Sequence, residues 1–100
     1  MLLDGTNPRY VSLVSLWEIA IKRSTGKLAM TDAVIAETLA DLAAEELPIS
    51  RRHVLGVADL PFHHRDPFDR LLIAQAIAED LVVVTGDRHF TAYGVRLLPA

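Results

Sequence analysis

The sequence predicts an α/β domain, a parallel sheet flanked by helices. Short apolar, β-branched runs alternate with segments of helical spacing. The run Leu81–Thr85 lacks polar alternation, as a strand covered on both faces should. The helical segments are bounded by capping and stop residues such as Ser15, Gly26, Pro48 and Asp66.

Length and composition set the outer limits. One hundred residues make a single domain, 1–100, and 51% hydrophobic content is enough for a core and too much for disorder. The apolar runs Leu71–Ile77 and Val82–Val84 fall well short of the roughly 18 residues a membrane span needs. The opening MLLDGTNPRY has neither a basic start nor a long apolar stretch, so a secretory signal is not expected. With no cysteine, the chain has no disulfide and no thiolate metal site, which is compatible with the cytoplasm. A net charge of −3 argues against a strongly basic nucleic-acid surface, although local clusters of cations remain possible.

Taken in order, Tyr10–Val14 is predicted as a strand. Ser15-Leu16-Trp17-Glu18 matches the S-x-x-E capping box, opening a helix that places Trp17 in the core and stops at Gly26. A second helix is predicted over Thr31–Glu46, because Val34, Ile35, Thr38, Leu39 and Leu42 recur at helical spacing. Pro48 ends it, and Leu47–Ile49 reads as a short extended piece. Ser50 caps a third helix reaching about Leu60, with Pro61 beyond its end. Asp66 takes the N-cap, Pro67 the N1 and Asp69 the N3 position of a fourth helix running to about Glu79. Strand Leu81–Thr85 follows, then a helical turn near Arg88–Tyr93 and a last strand at Val95–Leu98.

In parallel sheets of this kind, ligands bind beyond the carboxyl ends of the strands. That rule selects Glu18, Asp69 and Asp87 from the thirteen acids. Gathered at one rim, they would repel one another, and a hard divalent cation relieves this by taking oxygen ligands. Capping and helix-dipole roles account for each acid singly, but they give no reason for the three to meet. Asp66 is read as a cap. His63 and His64 are read as loop residues, and His53 and His89 have no partner at zinc-ligand spacing. Thr85 is expected to orient a carboxylate or a metal-bound water. Lys22, Arg23 and Lys27 on one helix, with Arg65, Arg70 and Arg88 around the acids, serve either solubility or contact with phosphates.

Two stretches, VSLVSLWEIAIKRSTGKL and LPFHHRDPFDRLLIAQAIAEDLVVVTGDRHF, resemble the PIN-domain ribonucleases, specifically the toxins of VapBC-type toxin–antitoxin pairs. The resemblance covers most of residues 10–98 and rests on SLWEIAIK, DPFDRLLIAQA and TGDRHF in that order. It implies a Mg²⁺- or Mn²⁺-dependent endoribonuclease with Glu18, Asp69 and Asp87 as catalytic, metal-binding carboxylates. An RNA substrate, a cognate antitoxin and a homodimer are implied with it. The start departs from the family pattern, which opens on a central strand ending in an Asp, with two helices before the Glu18 block. Only thirteen residues separate Asp4 from Glu18. The expectation is therefore an N-terminally truncated domain, residues 2–12 being a helix tail and loop, with the first strand and first acid absent. In the alternative, Met1–Leu3 fills the strand slot and Asp4 serves as a degenerate fourth ligand. A chain impaired in this way is expected either to cleave weakly or to act only as an antitoxin-binding or self-association module.

Overall fold

The computed structural model describes residues 2–3, 9–61, 66–84 and 97–98. Leu2–Leu3 form strand β1, not the tail of a helix. Only residues 4–8 separate it from strand β2, Arg9–Ser12. A parallel neighbour requires a crossover of a dozen or more residues, whereas so short a link permits an antiparallel one. The register obeys this, with Leu2 opposite Tyr10 and Leu3 opposite Arg9.

Ser12 rather than Ser15 starts the first helix. It is extended (φ −69°, ψ 144°) and its Oγ accepts the Val14 N–H, so helix α1 spans Leu13–Ser24. The predicted strand Tyr10–Val14 and the capping box are corrected together. The helix begins three residues early, with Ser12 Oγ accepting the first-turn Val14 N–H in the capping role expected of Ser15. Glu18 consequently sits in the second turn and is no cap. The stop at Gly26 holds: φ is +73°, and Lys27 N–H to Lys22 O with Gly26 N–H to Arg23 O closes a Schellman motif.

Helix α2 is Asp32–Asp41, capped by Thr31, and it ends well before the predicted Glu46. Ala44–Leu47 form strand β3, pairing parallel with β2 from Arg9↔Ala44 to Ser12↔Leu47. The helical pattern ran on through this strand because its exposed Glu45 and Glu46 mimic the polar face of a helix. Between helix and strand, Ala43 holds φ 51°. The left-handed region costs an alanine about 1–2 kcal/mol and a glycine almost nothing, partly offset by the greater freedom of glycine in the unfolded chain. Ala43→Gly should therefore raise the thermal midpoint by about 2–6 °C, read by a circular dichroism melt.

Helix α3, Arg51–Gly56, runs into a 3-10 turn at Val57–Asp59, close to the predicted extent. Helix α4, Pro67–Glu79, has the predicted cap: Asp66 Oδ1 accepts the Phe68 and Asp69 N–H groups at 2.9 and 3.3 Å. It ends in a Schellman-type bond from Leu81 N–H to Ala76 O, with Asp80 in the left-handed region. Leu81 thereby enters the core beside Ala76 and leads into strand β4, Val82–Val84. Strand β5, Leu97–Leu98, pairs parallel with it. Thr85 and the predicted turn at Arg88–Tyr93 lie outside the described residues.

The sheet order is β3-β2-β1-β4-β5. Strand β1 is antiparallel to both β2 and β4, so the other four strands run one way and β1 alone runs against them. The fold is an α/β sheet flanked by helices, as predicted, with one strand reversed at its centre. Leu2, Ile73, Ala76, Leu81 and Val83 form the core, with Tyr10, Leu47, Leu60 and Leu72 packed against it.

Candidate functional site

Strands β2 and β4 run in the same direction, so their carboxyl ends, Ser12 and Val84, open on the same rim of the sheet. Helix α1 leaves from that rim. Its position on α4 is fixed at two points. At one, the Ser12 hydroxyl donates to Gln75 Oε1. At the other, Trp17 meets Phe68 edge-on with ring centroids 4.7 Å apart. As α1 advances from residue 12 to 17, its partner on α4 retreats from 75 to 68, which makes the two helices antiparallel. Glu18 lies six residues after Ser12 and Asp69 six before Gln75. At about 1.5 Å per residue, both stand roughly 9 Å from the Ser12–Gln75 contact, at one level of the helix pair.

Beside Glu18 opens a cleft of about 460 Å³ lined by Glu18, Lys22, Lys27, Asp66 and Phe68, among others, and Asp69 does not line it. Glu18 is about one-third exposed and pairs with Lys22 at 3.5 Å, one helical turn on. Asp66, the N-cap that opens α4, also lines the cleft. The predicted third acid, Asp87, lies outside the described residues, as do Asp4, Thr85, His63, His64 and His89. Among the described residues no three His, Asp or Glu side chains converge on one point. The described lining offers carboxylate oxygens and no thiolate, a donor chemistry suited to a hard cation such as Mg²⁺ or Mn²⁺.

Two expectations are corrected here. Trp17 is 49% exposed instead of buried in the core, its ring set edge-on against Phe68 on α4. Arg70, expected near phosphates, is buried at 9% exposure and donates to Pro61 O at 3.0 Å and Val57 O at 3.2 Å. It closes the end of the 3-10 turn. Lys22, Arg23 and Lys27 stay on the surface, with Arg23 bound to Asp32 at 2.7 Å.

Sequence reasoning also missed a buried polar chain behind the cleft. Gln75 is wholly buried, Ser12 1% and His53 2% exposed. His53 completes a capping box, its Nδ1 accepting the Ser50 N–H at 3.1 Å while Ser50 Oγ accepts the His53 N–H. Gln75 Nε2 lies 3.3 Å from both His53 Nδ1 and Pro48 O. At the outer end His53 Nε2 meets Glu79 Oε1 at 2.8 Å, and Arg52 joins the same carboxylate. The available signals were polar residues at apolar-pattern positions, Gln75 within LLIAQAIA above all.

The fold and site define a mixed α/β protein with carboxylates and lysines lining a cleft between α1 and the start of α4. Comparison with known families narrows this, since residues 2–95 match the PIN domain. The chain belongs to the PIN domain family, a family of nucleases. Comparison with curated proteins gave no match. Among the described residues, no helix is long and apolar enough to cross a membrane.

Proposed function

We propose that this chain is a Mg²⁺- or Mn²⁺-dependent endoribonuclease of the VapC toxin type, with Glu18, Asp69 and Asp87 holding the cation. The observation that supports this reading is the antiparallel register of α1 on α4, in which Glu18 lines the cleft and Asp69 falls at a similar level of the neighbouring helix. A divalent cation held there would supply activation of water and neutralise charge on the leaving oxygen. The chain's own part is to hold the carboxylates in place and to receive the RNA backbone. Lys22 and Lys27 present ammonium groups to phosphates on one side of the cleft. Lys22 stands 3.5 Å from Glu18, so an ammonium group and a carboxylate sit side by side in the cleft.

The proposed set is three ligands, and Asp4 lies outside the described residues. The reversed strand also favours a second reading, a catalytically inactive module that binds an antitoxin or a second copy of itself. Exposed Val54, Leu55 and Ile77 support that reading.

The deciding experiment incubates the purified chain with a single-stranded RNA. Cleavage should appear with Mn²⁺ or Mg²⁺ and vanish with a chelator. Absence of metal-dependent cleavage, with no Mn²⁺ binding by calorimetry, would reject the enzyme and leave the binding module.

A further inference from the structure

We propose that Gln75, oriented by His53, is a positioning residue that sets the register of α1 on α4 and so the separation of Glu18 from Asp69. Its catalytic consequence rests on the nuclease reading above, whereas the register itself does not. The amide has one orientation that satisfies every neighbour. His53 Nδ1 already accepts the Ser50 N–H, so it carries a lone pair and no proton. Pro48 O is likewise an acceptor. Gln75 Nε2 therefore donates to Pro48 O and shares the single Nδ1 lone pair with the Ser50 N–H, leaving Oε1 to face the Ser12 hydroxyl. Ser12 in turn accepts the Val14 N–H at 3.0 Å, so the same atom caps α1 and ties it to α4.

The chain of bonds thus runs from the first turn of α1, through α4, into the segment before α3. Sliding α1 by one residue would leave Gln75 Oε1, or the Ser12 hydroxyl, buried without a partner. The structure contains no such orphan among the described residues. A fully satisfied buried network of this kind fixes one packing arrangement over its neighbours. Metal ligands at one level of a helix pair depend on that register, since a shift of about 1 Å can cost on the order of a hundredfold in rate.

Trp17, the single tryptophan, reports the far end of the register from its place against Phe68. In Gln75→Met the near-UV circular dichroism band of Trp17 should weaken while the far-UV spectrum persists. Mn²⁺ affinity by calorimetry should fall about tenfold, and kcat on single-stranded RNA about 10–100-fold, with KM little changed. Ile73→Val, a cut into the core face of the same helix, should keep all three readouts at the parent value. If Gln75→Met does not fold, Ser12→Ala removes one bond of the network and should show the same changes at smaller size. An unchanged Trp17 band and Mn²⁺ affinity in the folded variants overturn the proposal, and so does an equal loss in Ile73→Val. Failure of the nuclease reading looks different. The parent then neither binds Mn²⁺ nor cuts RNA, yet the Trp17 band still separates Gln75→Met from Ile73→Val.

Discussion

Leu2→Asp leaves the chain without a cooperative thermal transition at 25 °C. Leu2 is wholly buried and pairs on one side with Tyr10 and on the other with Val83. Loss of a buried leucine side chain costs about 2–5 kcal/mol, and a carboxylate placed there without a partner adds several more. A domain holds only about 5–15 kcal/mol in total. Topology sharpens the effect. Among the described residues, strand β1 is the sole hydrogen-bonded link between β2 and β4, so without it the sheet falls into the two pairs β3-β2 and β4-β5. Two-stranded pairs are marginal in water. Leu2→Met keeps the volume and should melt within a few degrees of the parent. A Leu2→Asp chain that still melts cooperatively would show that the centre of the sheet does not depend on β1.

The place of β1 was partly legible in the sequence. Leu2 and Leu3 are apolar, and residues 4–8 are too few for a crossover, which together dictate a reversed neighbour for Arg9–Ser12. What hid the strand was its length, because two residues carry no periodicity. Helix α4 was readable to the residue, since Asp66, Pro67 and Asp69 each act through local backbone chemistry that sequence spacing exposes. The first helix was misread by three positions for the same kind of reason. Ser12 and Ser15 are equally good caps locally, and only the tertiary bond from Ser12 to Gln75 decides between them.

The candidate site divides along the same line. The choice of Glu18 and Asp69 followed from strand ends and helix starts, which topology preserves even when boundaries move. The support behind them was invisible. His53 has no partner at zinc-ligand spacing, and its ring nitrogens meet Ser50, Gln75 and Glu79, residues that nothing in sequence spacing connects. Arg70 looked like a cation for phosphates until the carbonyls of Val57 and Pro61 were placed beside it. Long-range hydrogen bonds, more than burial, were what the pattern of residues left out.

Glu18→Gln, Asp69→Asn and Asp87→Asn should each lower metal-dependent RNA cleavage by more than about a hundredfold, and for the first two the argument separates activity from folding. Removing a ligand outright should exceed the roughly 10–100-fold that loss of a ligand's supporting partner costs. Stability should barely move. The Glu18–Lys22 pair is partly exposed, with little to lose when the charge goes, about 0.3–0.5 kcal/mol for a pair one turn apart. Asp69 occupies the N3 position of α4, where its charge is worth at most about 1 kcal/mol against the helix dipole. Both folded variants should therefore keep their far-UV spectra and melt within several degrees of the parent while Mn²⁺ affinity falls. Glu37→Gln removes the same charge from exposed α2 and should change neither property. Cleavage at the parent rate in all three carboxylate variants would reduce Glu18, Asp69 and Asp87 to helix-end and surface residues and remove the cation from the mechanism.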